Sequence, residues 1–133
     1  MTYLLDTNVC IRLINGSNTT VINRLANQQP EDIFISTITQ LELYYGAYRS
    51  LKTESNLEIL ERFFSQFNII LWDSEMAKIA GKIRADLAVS GTPIGPYDLQ
   101  IATSAIARNF ILVTHNTREF SRINGLQLED WEE

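Results

Sequence analysis

The chain has 133 residues, of which 45% are hydrophobic, and a formal net charge of −5 at pH 7. This length and apolar content predict one globular domain spanning residues 1–133, and the acidic balance excludes a protein that coats nucleic acid through bulk electrostatic attraction. The single cysteine, Cys10, excludes an internal disulfide, and Asp6, Asn8 and Arg12 interrupt the N-terminal apolar residues, so we expect a cytoplasmic protein without a signal peptide or membrane span.

Strands and helices are predicted to alternate along the chain. Short apolar runs predict strands at residues 3–5, 33–35, 69–72 and 110–113, with a possible edge strand at 126–128. Helical spacing and end signals predict helices at residues 8–15, 19–27, 36–50, 53–67, 74–89 and 97–108. Ser36, Thr53 and either Asp73 or Ser74 are the predicted N-caps. This order predicts an α/β fold with a parallel central sheet of four to five strands, covered by helices on both faces.

Four acidic residues lie at the ends of apolar runs or on the apolar stripe of a helix. Asp6 follows the first strand, and Glu119 lies in the segment after the fourth. Glu42 is expected beside an apolar helix face made by Ile38, Leu41 and Tyr45. Asp98 is in the first turn of its helix, where the positive end of the helix dipole favours an anion. Since ligands of parallel α/β sheets bind beyond the carboxyl ends of the strands, we expect these carboxylates to share one crevice.

Each acid also has an ordinary structural explanation. Asp6 could cap the following helix, Asp98 could be a partner of the helix dipole, and Glu42 or Glu119 could be a surface charge. Together, however, four carboxylates in one crevice would repel each other unless a cation lies between them. Oxygen ligands favour Mg²⁺ or Mn²⁺, whereas Zn²⁺ would prefer histidine or cysteine. His115 is expected to be a loop residue.

The motifs around these acids resemble those of the PIN-domain ribonucleases, in particular the VapC-type toxins of bacterial toxin–antitoxin pairs. The matching segments are LLDTNV, ELYYGA, IGPYDLQIA, LVTHNTREF and the ending LQLEDW, in order and at similar spacing. The resemblance implies an endoribonuclease whose metal ligands and catalytic residues are Asp6, Glu42, Asp98 and Glu119, with Mg²⁺ or Mn²⁺ as cofactor. It departs from many PIN domains at Asn116, where those proteins have an acid.

The resemblance also implies an RNA substrate such as tRNA or rRNA, a cognate VapB-like antitoxin and a homodimer, with DNA contacted only through the antitoxin. Asn8, Thr114 and Asn116 are expected to orient the acids or contact a phosphate. Two alternatives remain open within this reading: a PIN nuclease of RNA processing or decay, and an inactive metal-binding interaction module. A haloacid-dehalogenase-type phosphatase fits poorly, because position 8 is Asn where that chemistry needs a second Asp.

Two surface features complete the expectations. The helices at 36–50 and 53–67 carry more large apolar side chains than one buried stripe needs, so tyrosines among them are expected at an interface, while Phe63, Phe64 and Phe67 are expected in the core. Candidate phosphate contacts are the pairs Arg49 with Lys52, Lys78 with Lys82, and Arg118 with Arg122. The terminal acids Glu129, Asp130, Glu132 and Glu133 are expected to be solvated.

Overall fold

The computed structural model describes residues 1–133 and contains one parallel sheet with helices on both faces. The strands are β1 Tyr3–Leu5, β2 Ile33–Ser36, β3 Asn68–Ile70, β4 Ile111–Val113 and β5 Leu128–Glu129, in the order β3-β2-β1-β4-β5. The helices are α1 Thr7–Asn15, α2 Thr19–Ala26, α3 Thr37–Arg49, α4 Thr53–Phe64, α5 Ser74–Val89, α6 Pro96–Arg108 and α7 Thr117–Phe120, with a 3₁₀ turn at Pro30–Asp32. The predicted α/β class and parallel sheet are confirmed.

The sheet separates two hydrophobic cores. Tyr3 and Leu5 of β1 pack into a core with α1, α2 and α4, whereas Leu4 between them packs into a core with α5 and α6. Alternating residues of a strand point to opposite faces, so a strand that is apolar throughout has to be covered on both sides. No helix of the chain is long and apolar enough to cross a membrane.

Strand register brings the ends of the three central strands to one edge of the sheet. Leu5 pairs with Ile35 of β2 and with Val113 of β4, so the residues that come directly after these three lie side by side. Those residues are Asp6, Ser36 and Thr114, and all three are buried. The edge is therefore lined by polar groups at the position where the topology predicts a ligand site.

Several predicted boundaries are wrong. Thr53 is not an N-cap: Lys52 occupies that position without a side-chain bond, and the Thr53 hydroxyl donates to the carbonyl oxygen of Ser50 at 3.1 Å. The helix α4 ends at Phe64 rather than at Phe67, and the third strand begins at Asn68 rather than at Ile69. The short helix α7 was not predicted, because four residues give too little periodicity to recognise.

The expectation that the terminal acids are solvated is wrong for three of them. The carboxylate of Glu129 pairs with Arg24 at 3.2 Å, and the side chains of Asp130 and Glu132 are only 10% and 12% exposed. The Trp131 ring, 1% exposed, packs edge-to-face on Tyr3 with 5.3 Å between ring centroids. The C-terminal segment is thus fixed to the first core, and only Glu133 is fully exposed.

Candidate active site

Asp6 is held at the start of α1 by two groups. Its Oδ1 accepts a hydrogen bond from the Val9 amide at 2.8 Å, which makes it the N-cap of the helix, and the Thr114 hydroxyl lies within hydrogen-bonding reach of the same carboxylate. Burial raises the pKa of Asp6 and outweighs these hydrogen bonds, and the charges of Glu132 and Glu42 add to the rise. The structural explanation of Asp6 as a cap is therefore correct.

Glu42 reaches the same edge through a threonine pair that sequence reasoning missed. The Thr7 hydroxyl donates to Glu42 Oε1 at 2.7 Å and lies 3.0 Å from the Thr39 hydroxyl, so Thr39 supplies the proton in the second contact. The apolar face expected beside Glu42 is wrong for two of its three residues, because Leu41 and Tyr45 are exposed and only Ile38 is partly buried, against the second core. Glu42 is instead positioned by Thr7, which follows Asp6 directly and could have been found from that adjacency.

Glu119 lies on α7 and faces the N-terminus of α6. Its Oε2 accepts from the Asn116 side-chain amide at 3.0 Å, and its Oε1 accepts from the Gly95 backbone amide at 3.3 Å. The Asn116 backbone amide in turn donates to the Thr114 hydroxyl at 3.0 Å. Thr114 and Asn116 therefore contact the predicted acids, whereas Asn8 is exposed and lines the adjacent cavity without a hydrogen bond.

The pKa of Asp98 reflects the charges of the other three acids. Its pKa is raised to about 6, first by burial and then by the charges of Glu119, Asp6 and Glu42, in that order. The dipole of α6 would lower this pKa, so burial and the neighbouring acids dominate over it. The structure thus brings the four predicted acids close enough for their charges to interact.

The four acids match a hard cation in the kind of ligand they offer. All are carboxylates, their charges repel at Asp98, and oxygen ligands of this type suit Mg²⁺ or Mn²⁺. In this arrangement, however, no three His, Cys, Asp or Glu side chains converge closely enough to hold a metal ion by themselves. The acids therefore offer suitable ligand atoms for such a cation, but they do not form a closed set of metal ligands in this structure.

Cys10 and His115 also lie near the site. Cys10 is buried, and burial raises the pKa of its thiol, which leaves it protonated and unreactive. His115 lies in the loop after β4, as expected, and its Nδ1 is 2.9 Å from Asp130 Oδ2. The Asp130 carboxylate raises the pKa of His115 through this hydrogen bond and through its charge.

The predicted phosphate-binding pairs do not lie at the cavity beside Asp6. That cavity, of about 380 Å³, is instead lined by two basic side chains that sequence reasoning did not select, Arg12 and His115. Arg12 lies four residues after Asn8, one helical turn along α1, and this spacing was the available signal.

Known proteins match the chain over nearly its whole length. The sequence model of the PIN domain matches residues 3–126. A curated relative from Salmonella typhimurium, named tRNA(fMet)-specific endonuclease VapC, is 44% identical over 129 residues, which cover 97% of each chain. The crystal structure of DNA-bound VapBC from Salmonella typhimurium matches with a TM-score of 0.92 and 44% identity over 98% of each chain. The structure of VapBC-1 from nontypeable Haemophilus influenzae matches with a TM-score of 0.92 and 35% identity over 100% of each chain.

Proposed function

The chain belongs to the PIN domain family, and from this premise we propose that it is a VapC-type endoribonuclease toxin that cleaves cellular RNA in the cytoplasm. The observation that carries the proposal is Asp98, whose pKa is raised to about 6 by burial and by three other acids at the same edge of the sheet. Of these acids Asp6 is buried and the other three are partly buried, and their mutual repulsion disfavours the folded state, so their presence at one edge favours a function that uses the negative charge.

The proposed substrate is tRNA, in the first place initiator tRNA. The Salmonella typhimurium relative is named for this substrate and shares 44% of its residues with the chain over 97% of both. The proposed protein partner is a cognate VapB-like antitoxin that inhibits cleavage, since the solved relatives from Salmonella typhimurium and Haemophilus influenzae are VapBC complexes. Contact with DNA is then made through the antitoxin.

Asp6 and Asp98 are the residues proposed to hold Mg²⁺ or Mn²⁺, with Glu42 and Glu119 beside them. When bound, the ion would neutralise charge on the scissile phosphate and would activate the attacking water. The chain's own part is to fix the ligands: Val9 and Thr114 hold Asp6, Thr7 holds Glu42, and Asn116 holds Glu119. Such contacts keep a ligand oriented before the substrate arrives.

Metal dependence is the first test. With purified protein and labelled initiator tRNA, we expect EDTA to stop cleavage and either Mg²⁺ or Mn²⁺ to restore it, whereas Zn²⁺ should not substitute well. Added Mg²⁺ should also raise the melting temperature, because a ligand that binds only the folded state stabilises it. Cleavage that persists in EDTA would contradict the proposal. Absence of cleavage of tRNA and rRNA with Mg²⁺ present would favour the inactive interaction module instead.

We also propose that the chain forms a homodimer through the outer face of α3. Leu41, Tyr45 and Tyr48 of this helix are exposed, as is Leu51 just after it. Exposed apolar and tyrosine side chains on one face are typical of protein interfaces. Phe63 and Phe64 are buried, as expected, and Phe67 is partly buried against the first core, so they do not contribute to this face.

Light scattering at micromolar concentration tests the dimer. We expect a dimer for the wild type and a monomer for Tyr48→Glu, because a charge at a buried contact loses its hydration. The control is Val89→Glu, at a side chain on α5 that is 90% exposed, compared with 66% for Tyr48. A wild-type monomer, or a dimer that both variants retain, would contradict the assignment of this face.

A further inference from the structure

The cavity beside Asp6 is lined in part by basic side chains, although the protein as a whole is acidic. Its lining contains two acids, Asp6 of the proposed catalytic site and Glu132, together with two basic side chains, Arg12 and His115. The amide of Asn116, which holds Glu119, lines the same space. Basic side chains within the volume of the site are a feature that metal binding by the carboxylates does not require.

Arg12 reaches this cavity with most of its hydrogen-bonding capacity unused. Its Nε lies 3.3 Å from Glu132 Oε1 but makes no well-aligned hydrogen bond, although it is shielded from solvent. The two terminal nitrogens of the guanidinium make no hydrogen bond within the protein, and the side chain is 43% exposed. A planar guanidinium fixed at one edge, with its remaining donors free, suits bidentate recognition of a phosphate.

His115 is fixed in a similar way from the opposite direction. Its Nδ1 contacts Asp130 at 2.9 Å, which leaves Nε2 as the free nitrogen of the ring. The Asp130 carboxylate favours the charged imidazolium and raises the pKa of His115. Both cations are therefore held by the C-terminal segment, Arg12 by Glu132 and His115 by Asp130.

Several other basic side chains are engaged away from this cavity. Arg24 pairs with Glu129, Lys82 with Asp86, and Arg108 with Asp73. With a net charge of −5 and four acids in the site, the protein needs local positive charge to hold a polyanion. Arg12 and His115 can supply this positive charge, because they line the same cavity as Asp6.

We propose that Arg12 and His115 bind a phosphate of the RNA backbone next to the scissile one, and thereby position the strand across the carboxylates. This inference rests on the proposed ribonuclease function. It assigns the contact to phosphate and not to a base, because the Arg12 guanidinium is charged and only donates, and the Asp130 carboxylate raises the pKa of His115 and so favours its charged, donor-only form.

RNA binding by a catalytically inactive protein tests the assignment. In an Asp98→Asn background, the affinity for fluorescein-labelled initiator tRNA is measured by anisotropy at several salt concentrations. Arg12→Gln and His115→Gln are each expected to weaken binding about tenfold, the loss of one charge-assisted contact. The slope of log affinity against log salt concentration should become less steep by about one unit for each variant.

Arg24→Gln is the matched control. Arg24 also pairs with an acid of the C-terminal segment and is 39% exposed, close to the 43% of Arg12, but it does not line the cavity. Its removal deletes the same charge and should change RNA affinity by less than about twofold. Thermal melting of all three variants separates a binding defect from unfolding.

Kinetics with the active protein give the second readout. Arg12→Gln should raise KM for initiator tRNA more than it lowers kcat, because the phosphate contact exists in the ground state as well as in the transition state. If Arg12→Gln and His115→Gln bind and cleave like Arg24→Gln while the wild type remains an active nuclease, the inference is wrong and the proposed function stands. If the wild type neither binds nor cleaves RNA, both are wrong.

Discussion

Replacement of Asp98 by asparagine is expected to lower RNA cleavage by about a thousandfold or more, the loss typical of removing a group that stabilises transition-state charge. Asparagine keeps the size of the side chain and removes the charge that a divalent cation requires. The measurement is the single-turnover rate on initiator tRNA with saturating Mg²⁺. Asp86→Asn, which removes an exposed acid paired with Lys82 on α5, is the control and should leave the rate unchanged.

Asp6→Asn should be equally severe, and asparagine is the informative substitution there. Asp6 caps α1 through Val9, and asparagine is an equally good N-cap, so the helix keeps its hydrogen bond while the charge is lost. Glu42→Gln and Glu119→Gln are expected to be severe as well, whereas a mild effect at Glu119 would transfer its role to Asn116. Near-normal cleavage by the Asp6 or Asp98 variant would show that the site is assigned to the wrong residues.

The same Asp98→Asn variant, which is expected to lose activity, is expected to gain stability. The folded state raises the pKa of Asp98 from 3.8 to about 6, so the charged form is disfavoured on folding and the protein loses stability as the pH rises through this interval. In EDTA at neutral pH, Asp98→Asn should therefore raise the free energy of unfolding, by on the order of 1 kcal/mol after solvent screening. Denaturant titrations at pH 4 and pH 7 check this, and a variant less stable than the wild type at pH 7 would contradict it.

Among the substitutions proposed here, replacement of Trp131 by alanine is expected to lower the free energy of unfolding most, by about 3–5 kcal/mol. The ring packs against Tyr3 of the central strand, Arg24 lies 5.7 Å above it, and its indole N–H donates to Glu129 at 3.0 Å. Alanine would leave a cavity in the first core and release the C-terminal segment. Denaturant unfolding followed by circular dichroism measures the change.

Trp131→Phe is the comparison for that experiment. Phenylalanine keeps most of the ring and loses the N–H donor, so the expected cost is about 1 kcal/mol. A cost below about 1 kcal/mol for Trp131→Ala would show that the C-terminal segment unfolds independently of the sheet, against its burial in the structure.

The strands, the position of Asp6 directly after β1 and that of Asp98 in the first turn of α6 could be predicted because their signals are local. Short apolar runs indicate buried parallel strands, and a polar residue directly after such a run falls at the edge where ligands bind. The cap at Asp73 and the end of α5 at Val89 were predictable for the same reason, since capping residues act on their own helix.

The C-terminal segment could not be predicted because its partners are distant in sequence. Glu129 pairs with Arg24 across 105 positions, and Glu132 contacts Asn18 across 114. A run of acids carries no local sign that it will meet cations brought in by another helix. Arg12 is oriented by its contact with Glu132 of the C-terminal segment, so its place in the cavity lining was missed for the same reason.

The central claim is that this carboxylate group cuts RNA, and mapping of RNA ends in cells tests it most directly. After brief expression of the wild-type chain and of the Asp6→Asn variant, the ends of all cellular RNAs are sequenced. We predict a few discrete new ends in one structured RNA, in the first place initiator tRNA, that are produced by the wild type and are absent with the variant. The same new ends in both samples, or none in either, would contradict the account.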